Sequence, residues 1–216
     1  MKRSLLFIAF SCISLFSIGQ TYTWTNGGGD NLWSNGLNWD LGTVAPTVGD
    51  TAIIGTGQTV ILDVAATVHR LTLSSATLHL NGLQLQVDST LTITSSVVDD
   101  GTFAAGTLYA DSIGTYNITN TTSDAEFLVY SADWGNCNGN TYNGEIFYSH
   151  IGSTNENITG NNIYNNKVSY ETLNGRFRPE SNDNSTFNAD TVHFYNHSSI
   201  NERIYFSQAA RATLNS

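Results

Sequence analysis

The chain has 216 residues and a formal net charge of -10, with 8 Lys and Arg against 18 Asp and Glu. No basic cluster survives in its body, which argues against nucleic acid or an anionic membrane surface as a partner. Lys2 and Arg3 precede an apolar run from Leu5 to Ile18, and Ser17 and Gly19 are small residues at the minus-three and minus-one positions of a cleavage between Gly19 and Gln20. This is the pattern of a secretory signal peptide, residues 1–19. The run is shorter than the roughly 20 apolar residues that a spanning helix needs. Phe10 and Ser11 before Cys12, and the apolar residues after it, fit a lipoprotein site poorly. Removal of the signal takes Lys2 and Arg3 with it and moves the net charge from -10 to -12, an excess suited to keeping an exported protein soluble. Cys137 is then the one cysteine left, so burial and backbone pairing alone must hold the fold. About 195 residues suffice for a substantial core.

Residues 20–54 read as a distinct capping module rich in Trp and Gly. It runs Tyr22-Thr-Trp-Thr-Asn-Gly-Gly-Gly-Asp30, Trp33-Ser-Asn-Gly-Leu-Asn-Trp39 and Pro46-Thr-Val-Gly-Asp-Thr-Ala-Ile-Ile54. Gly27 to Gly29 and Asn35-Gly36 are turn signals. This pattern resembles the opening of the β-helical regions of secreted bacterial surface proteins, namely autotransporter-like passengers and exported repeat proteins of the Bacteroidetes type. The resemblance covers about 30 residues and implies a β-helix on a secreted or cell-surface protein. It implies no particular activity, because such proteins include adhesins.

Residues 55–216 read as β-solenoid repeats, expected to be cut short at the C-terminus. Thr59–Leu62, Val68–Leu73, Thr77–Leu80, Leu83–Val87 and Thr90–Thr94 alternate apolar with polar residues, as half-buried strands do. Turns are expected at Ser74-Ser75, Asn81-Gly82 and Asp88-Ser89. Asn81-Gly82 is also a hairpin signal. Gly101–Tyr109 looks like a degenerate copy of the later repeats, and Trp134–Asn140 like a Gly/Asn surface loop.

The clearest repeat comes next. Tyr142, Tyr164 and Phe187 recur at a period of about 22 residues, and Asn143, Asn165 and Asn188 follow them at the same period, which marks stacked repeats. Stacked coils lie about 4.8 Å apart, so the three Asn side chains can bond to one another in a ladder. The expectation is a structural ladder at a buried corner. The other use of such a row is contact with sugar hydroxyls.

Chemistry-bearing constellations are sparse. His150 and His197 fall two coils apart, about 10 Å, too far to share a metal unless they lean together. His193 and His197 are four apart on strand-like sequence, whereas that zinc spacing needs a helix. We therefore expect no metal and no cofactor. Asp99-Asp100, before Gly101, reads as a turn rather than as the two facing carboxylates of a glycosidase. Arg176 and Arg178 flank Phe177 near Glu180, a weak constellation for a polysaccharide lyase. Trp24, Trp33 and Trp39 could stack on sugar rings, but they more often seal the end of a solenoid core.

The fold expected is all-β, a right-handed parallel β-helix (β-solenoid) with a Trp/Gly-rich N-terminal cap; the alternative is a β-sandwich, if Asn81-Gly82 closes a hairpin. The function expected is an exported, non-catalytic structural or adhesin-like segment. The alternative is a glycan-binding module or a polysaccharide lyase or hydrolase, with Trp24, Trp33, Trp39, Arg176 and Arg178 as glycan contacts. Expected partners are glycans, other surface proteins, or further copies joined end to end across an open solenoid edge.

Overall fold

The computed structural model describes residues 19–104, 107–112, 115–124, 126–131, 134–150, 155–157, 160–172, 176–178, 185–188, 191–196 and 212–214, and side chains within 19–103, 117–124, 137–149, 160–171, 185–188 and 191–195. Among these residues the regular structure is nearly all β, with one short 3-10 turn at Gly36–Asn38 and irregular turns through most of residues 24–50. Every pairing between its strands is parallel, and together they build a β-solenoid. No helix among the described residues is long and apolar enough to cross a membrane.

The alternation in sequence explains the stacking. A strand points successive side chains to opposite faces, so one set turns inward and meets its counterpart on the next coil. Three columns result. The first runs Tyr22, Ala52, Leu71, Leu91, Leu108, Phe127, Ile146, Val168, Val192, each paired with the one before. A second runs Val60, Leu78, Val98, Ile118, Cys137. A third runs Ala66, Leu85, Phe103, Ser123, Tyr142, Tyr164, Phe187, Leu214. Their inward side chains form one continuous core wherever they are described. The opening module belongs to the same stack, because Thr21–Thr23 and Thr51–Ile54 are consecutive rungs of the first column.

The corners repeat as the strands do. Asn81, Asp100, Asn120, Gly139 and Asn161 all have positive φ, between 53° and 70°. Asn and Asp tolerate this region because their short polar side chains bond locally, and Gly because it has no Cβ. At the first of these corners the Leu83 N–H donates to the Leu80 carbonyl at 2.9 Å, across Asn81 (φ 53°) and Gly82 (φ 74°). The Asn-Gly turn is therefore present but joins two faces of a coil. Thr77–His79 pairs in parallel with Thr59–Ile61 and with Val97–Asp99 instead of folding back on the strand that follows, which removes the β-sandwich alternative.

Two local expectations are corrected. Asp88-Ser89 is not a turn. A single strand runs Gln84–Thr94, and the change of face is absorbed by a register shift between Val68 and Arg70 on its neighbour. Trp134–Asn140 is not a surface loop. Trp134–Asn138 is a strand in register with Thr115–Thr119, Cys137 is fully buried in the core, and Gly139 turns the corner. Asn and Gly are poor strand formers in isolation, but here the register of the coil below dictates the pairing.

Candidate functional site

The three cap tryptophans are buried, Trp24 at 4% exposure and Trp33 and Trp39 at 1% each. Trp39 sits between the other two, edge to face with both at 5.0 Å between ring centroids, and its Nε1 donates to the Trp33 carbonyl at 2.9 Å. Rings packed edge-on in this way satisfy their quadrupoles and offer no free face. This overturns Trp24, Trp33 and Trp39 as glycan contacts: they seal the first coil.

The loop between Trp24 and Trp39 is held by side-chain hydrogen bonds. Asp30 accepts from Asn38 Nδ2 at 2.6 Å, from Asn35 Nδ2 at 2.8 Å and from the Leu32 N–H at 3.1 Å. These donors, led by Asn38, hold its carboxyl below the usual carboxylate range. A Cβ at Gly28 would press on Asn35 Nδ2 and Asn38 Oδ1 and push these side chains away from Asp30. With both carboxylate oxygens already accepting, the cluster is a structural tie.

The repeated Asn residues form the predicted chain of amides. Asn165 Nδ2 donates to Asn143 Oδ1 and Asn188 Nδ2 to Asn165 Oδ1, each at 2.7 Å, and Asn143 Nδ2 continues the row to Asp124 at 2.6 Å. The expectation of a buried corner is overturned, because Asn143, Asn165 and Asn188 are all exposed. They follow the inward Tyr142, Tyr164 and Phe187, and alternation turns them outward.

The buried ladder lies three residues earlier, at Asn140, Asn162 and Ser185. Asn140 Oδ1 accepts from the Thr121 N–H at 3.0 Å and its hydroxyl at 3.1 Å. Asn140 Nδ2 donates to the Ile118 carbonyl at 2.8 Å and to the Tyr142 hydroxyl at 3.0 Å. One coil on, Asn162 Oδ1 accepts from the Asn140 N–H at 3.1 Å and Asn162 Nδ2 donates to the Cys137 carbonyl at 3.0 Å. The Asn162 N–H in turn donates to Ser185 Oγ at 2.9 Å. Each amide thus substitutes for a peptide group where the chain turns between faces, which a buried backbone requires. The sequence carried the signal: these positions share the spacing of the exposed row and open the same repeat stretches.

Several charged groups on the coils are tied to neighbours. His79 Nδ1 lies 2.7 Å from Asp99, and Asn120 Nδ2 donates to Asp100 at 3.1 Å. The Ser149 hydroxyl donates to Glu171 at 2.7 Å, and Lys167 meets Glu145 at 3.2 Å. Among the described residues no three His, Cys, Asp or Glu side chains are grouped to hold a metal ion. Arg176 and Arg178 lie on one short strand, paired with Asn155 and Asn157; their side chains, that of His150, and all of Glu180 and His197 lie outside the described residues. His193 stacks on Tyr195 at 5.8 Å.

No family model, curated protein or solved structure matches the chain.

Proposed function

We propose that this chain is an exported, non-catalytic β-solenoid segment of a secreted or cell-surface protein, serving as a stalk or adhesin-like element. One observation carries the proposal. The carboxylates and amides that recur along the coils bond to the coil above or below, as Asp124, Asn143, Asn165 and Asn188 do in succession. Groups committed to one another in this way are held on the stack itself, whereas an acid/base pair must face a substrate across a groove. The signal-like segment ending at Gly19 supports export. The resemblance of the Trp/Gly-rich opening to passengers of bacterial surface proteins supports the same setting. Glycans or other surface proteins are the partners that such an element would meet.

The test expresses the full chain in a bacterial host and locates it by cell fractionation and surface labelling. The purified protein is then incubated with acidic and neutral polysaccharides while chain length is followed. Export without any shortening of the polysaccharides is the expected result. Polysaccharide cleavage that disappears in an Arg176→Ala, Arg178→Ala variant would overturn it in favour of a lyase or hydrolase.

A further inference from the structure

The first described residues are held from several sides. The Gln20 nitrogen donates to Asp50 Oδ1 at 2.9 Å. Gln20 Oε1 accepts from the Tyr22 hydroxyl at 3.1 Å, and the Gln20 carbonyl accepts from the Thr51 N–H at 2.8 Å. Asp50 is itself prepared. It is 8% exposed, and its other oxygen accepts from the Thr47 N–H at 2.9 Å and the Thr47 hydroxyl at 3.0 Å. One residue upstream, a Cβ on Gly19 would collide with the Gly49 carbonyl oxygen, so only glycine can pass there. Glycine is also the small residue that a signal peptidase accepts just before its cut.

A buried carboxylate oxygen that receives a single neutral N–H is half used. Cleavage between Gly19 and Gln20 would turn that N–H into an α-ammonium, and the contact into a charge-assisted one. We propose that Asp50 is the receptor for the mature chain's own N-terminus, binding the Gln20 α-ammonium once the leader is removed and keeping Gln20 from closing to pyroglutamate. The proposal rests on the export reading above.

The second half follows from the chemistry of the closure. The neutral Gln20 Nα must attack its own side-chain Cδ; the new N–Cδ bond forms, the Cδ–Nε2 bond breaks, and ammonia leaves with the proton that Nα gives up. Docking on Asp50 favours the protonated amine, which has no lone pair to attack with. The Tyr22 hydroxyl meanwhile holds the side-chain amide by its oxygen. The other titratable groups at this end are Asp40, which accepts from the Thr23 N–H, and His69 and Arg70, whose backbone N–H groups donate to the Asp50 carbonyl. Burial first, then the charges of Asp50 and Asp40, hold the Tyr22 phenol above its usual range, so it remains a donor.

The experiment uses protein secreted from the full gene. Its N-terminal peptide is identified by mass spectrometry, and labelling of its α-amine is followed against pH. The expected start is an open Gln20 whose amine titrates above about 8, the upper end of the ordinary α-amino range. Asp50→Asn should return the titration to that range and let Gln20 close on storage with loss of ammonia. Tyr22→Phe leaves Asp50 in place, so it should speed closure without moving the titration; it serves also if the Asp50 variant does not fold. Export with a start other than Gln20 overturns the receptor and leaves export standing. So does an ordinary titration with closure as fast as in denaturant. A chain retained uncut inside the cell overturns the export reading itself.

Discussion

The two halves of this solenoid share parallel backbone pairing and differ in their interiors. Between Ala52 and Val98 the core is aliphatic: Ile54, Val60, Leu62, Leu71, Leu73, Leu78, Leu80, Leu85 and Ile93 are all fully buried. Its coils are short, since Val60 pairs with Leu78 and Leu78 with Val98. From Asn140 onward aromatic rings and amides join the aliphatic Ile146 and Val168 in the filling. Tyr142, Tyr164 and Phe187 form one stack at 5.3 and 4.9 Å between centroids, and Tyr148 and Tyr170 another at 5.4 Å, which the exposed Phe194 continues at 5.6 Å. Here each coil takes more chain, since Tyr148 pairs with Tyr170 and Tyr170 with Phe194. The spacing of coils, about 4.8 Å, is set by backbone pairing, and either filling meets it. Aliphatic side chains do so by volume. Flat rings do so by stacking nearly parallel, and a wider coil then leaves corners that buried amides must satisfy.

The largest effect is expected in the first half. Leu78→Ala should leave a cavity between Val60 and Val98 that a stacked backbone cannot collapse into, costing about 3 kcal/mol. In the second half the corresponding weak point is polar. Asn162→Ala removes two buried bonds, from the Asn140 N–H and to the Cys137 carbonyl, and the loss of such bonds costs about 1–3 kcal/mol each, so a loss of about 3 kcal/mol is expected. Denaturant unfolding measures both. If Asn162→Ala were nearly neutral while Leu78→Ala was costly, the second half would be held by its rings alone.

The columns were legible where one residue type repeats. Thr59–Leu62 and Thr77–Leu80 alternate plainly enough to place Val60 and Leu78 inside. The even spacing of Tyr142, Tyr164 and Phe187 placed the aromatic stack. Burial along an Asn-rich stretch was not legible, because two asparagine rows have the same period and only the neighbours' facing separates them. Asn143 follows an inward Tyr and turns out; Asn140 lies two residues before that Tyr and turns in. The strand at Trp134–Asn138 was hidden for a related reason. Nothing local favours it, and it exists because the coil below offers Thr115–Thr119 in register.

Smaller effects are expected at the rings. Tyr164→Leu keeps an apolar side chain in the column but removes two ring-on-ring contacts, with Tyr142 and with Phe187. Each is worth about 0.5–1.5 kcal/mol, so a loss of about 2 kcal/mol is expected, smaller than that of Asn162→Ala. The rings also set an alkaline limit. Burial, with smaller electrostatic contributions from neighbouring groups, holds the Tyr148 phenol well above its usual range. The folded chain thus keeps a proton that the unfolded chain releases near pH 10. Stability should be complete below about pH 10 and fall as pH rises past it. Unfolding midpoints measured on both sides of that pH check the sign; a midpoint that rises in alkali contradicts it.

The smallest effect expected is at the row that looked most important in the sequence. Asn165 donates to Asn143 and accepts from Asn188, both at 2.7 Å, yet all three are exposed. Asn165→Ala breaks both bonds, but water can reach the freed groups, so no buried orphan is left. The loss should stay within about 0.5 kcal/mol, the usual range for a surface substitution. Asn162 lies three residues away on the same coil, and its buried amide likewise accepts from one residue and donates to another. The pair of variants therefore contrasts a buried amide with an exposed one. Denaturant unfolding of the two should give midpoints that differ clearly, with Asn165→Ala close to the parent chain. Equal losses would mean that the outer row is as structural as the inner one. Combining Asn143→Ala with Asn165→Ala should add little, because the second change removes a bond that the first has already broken.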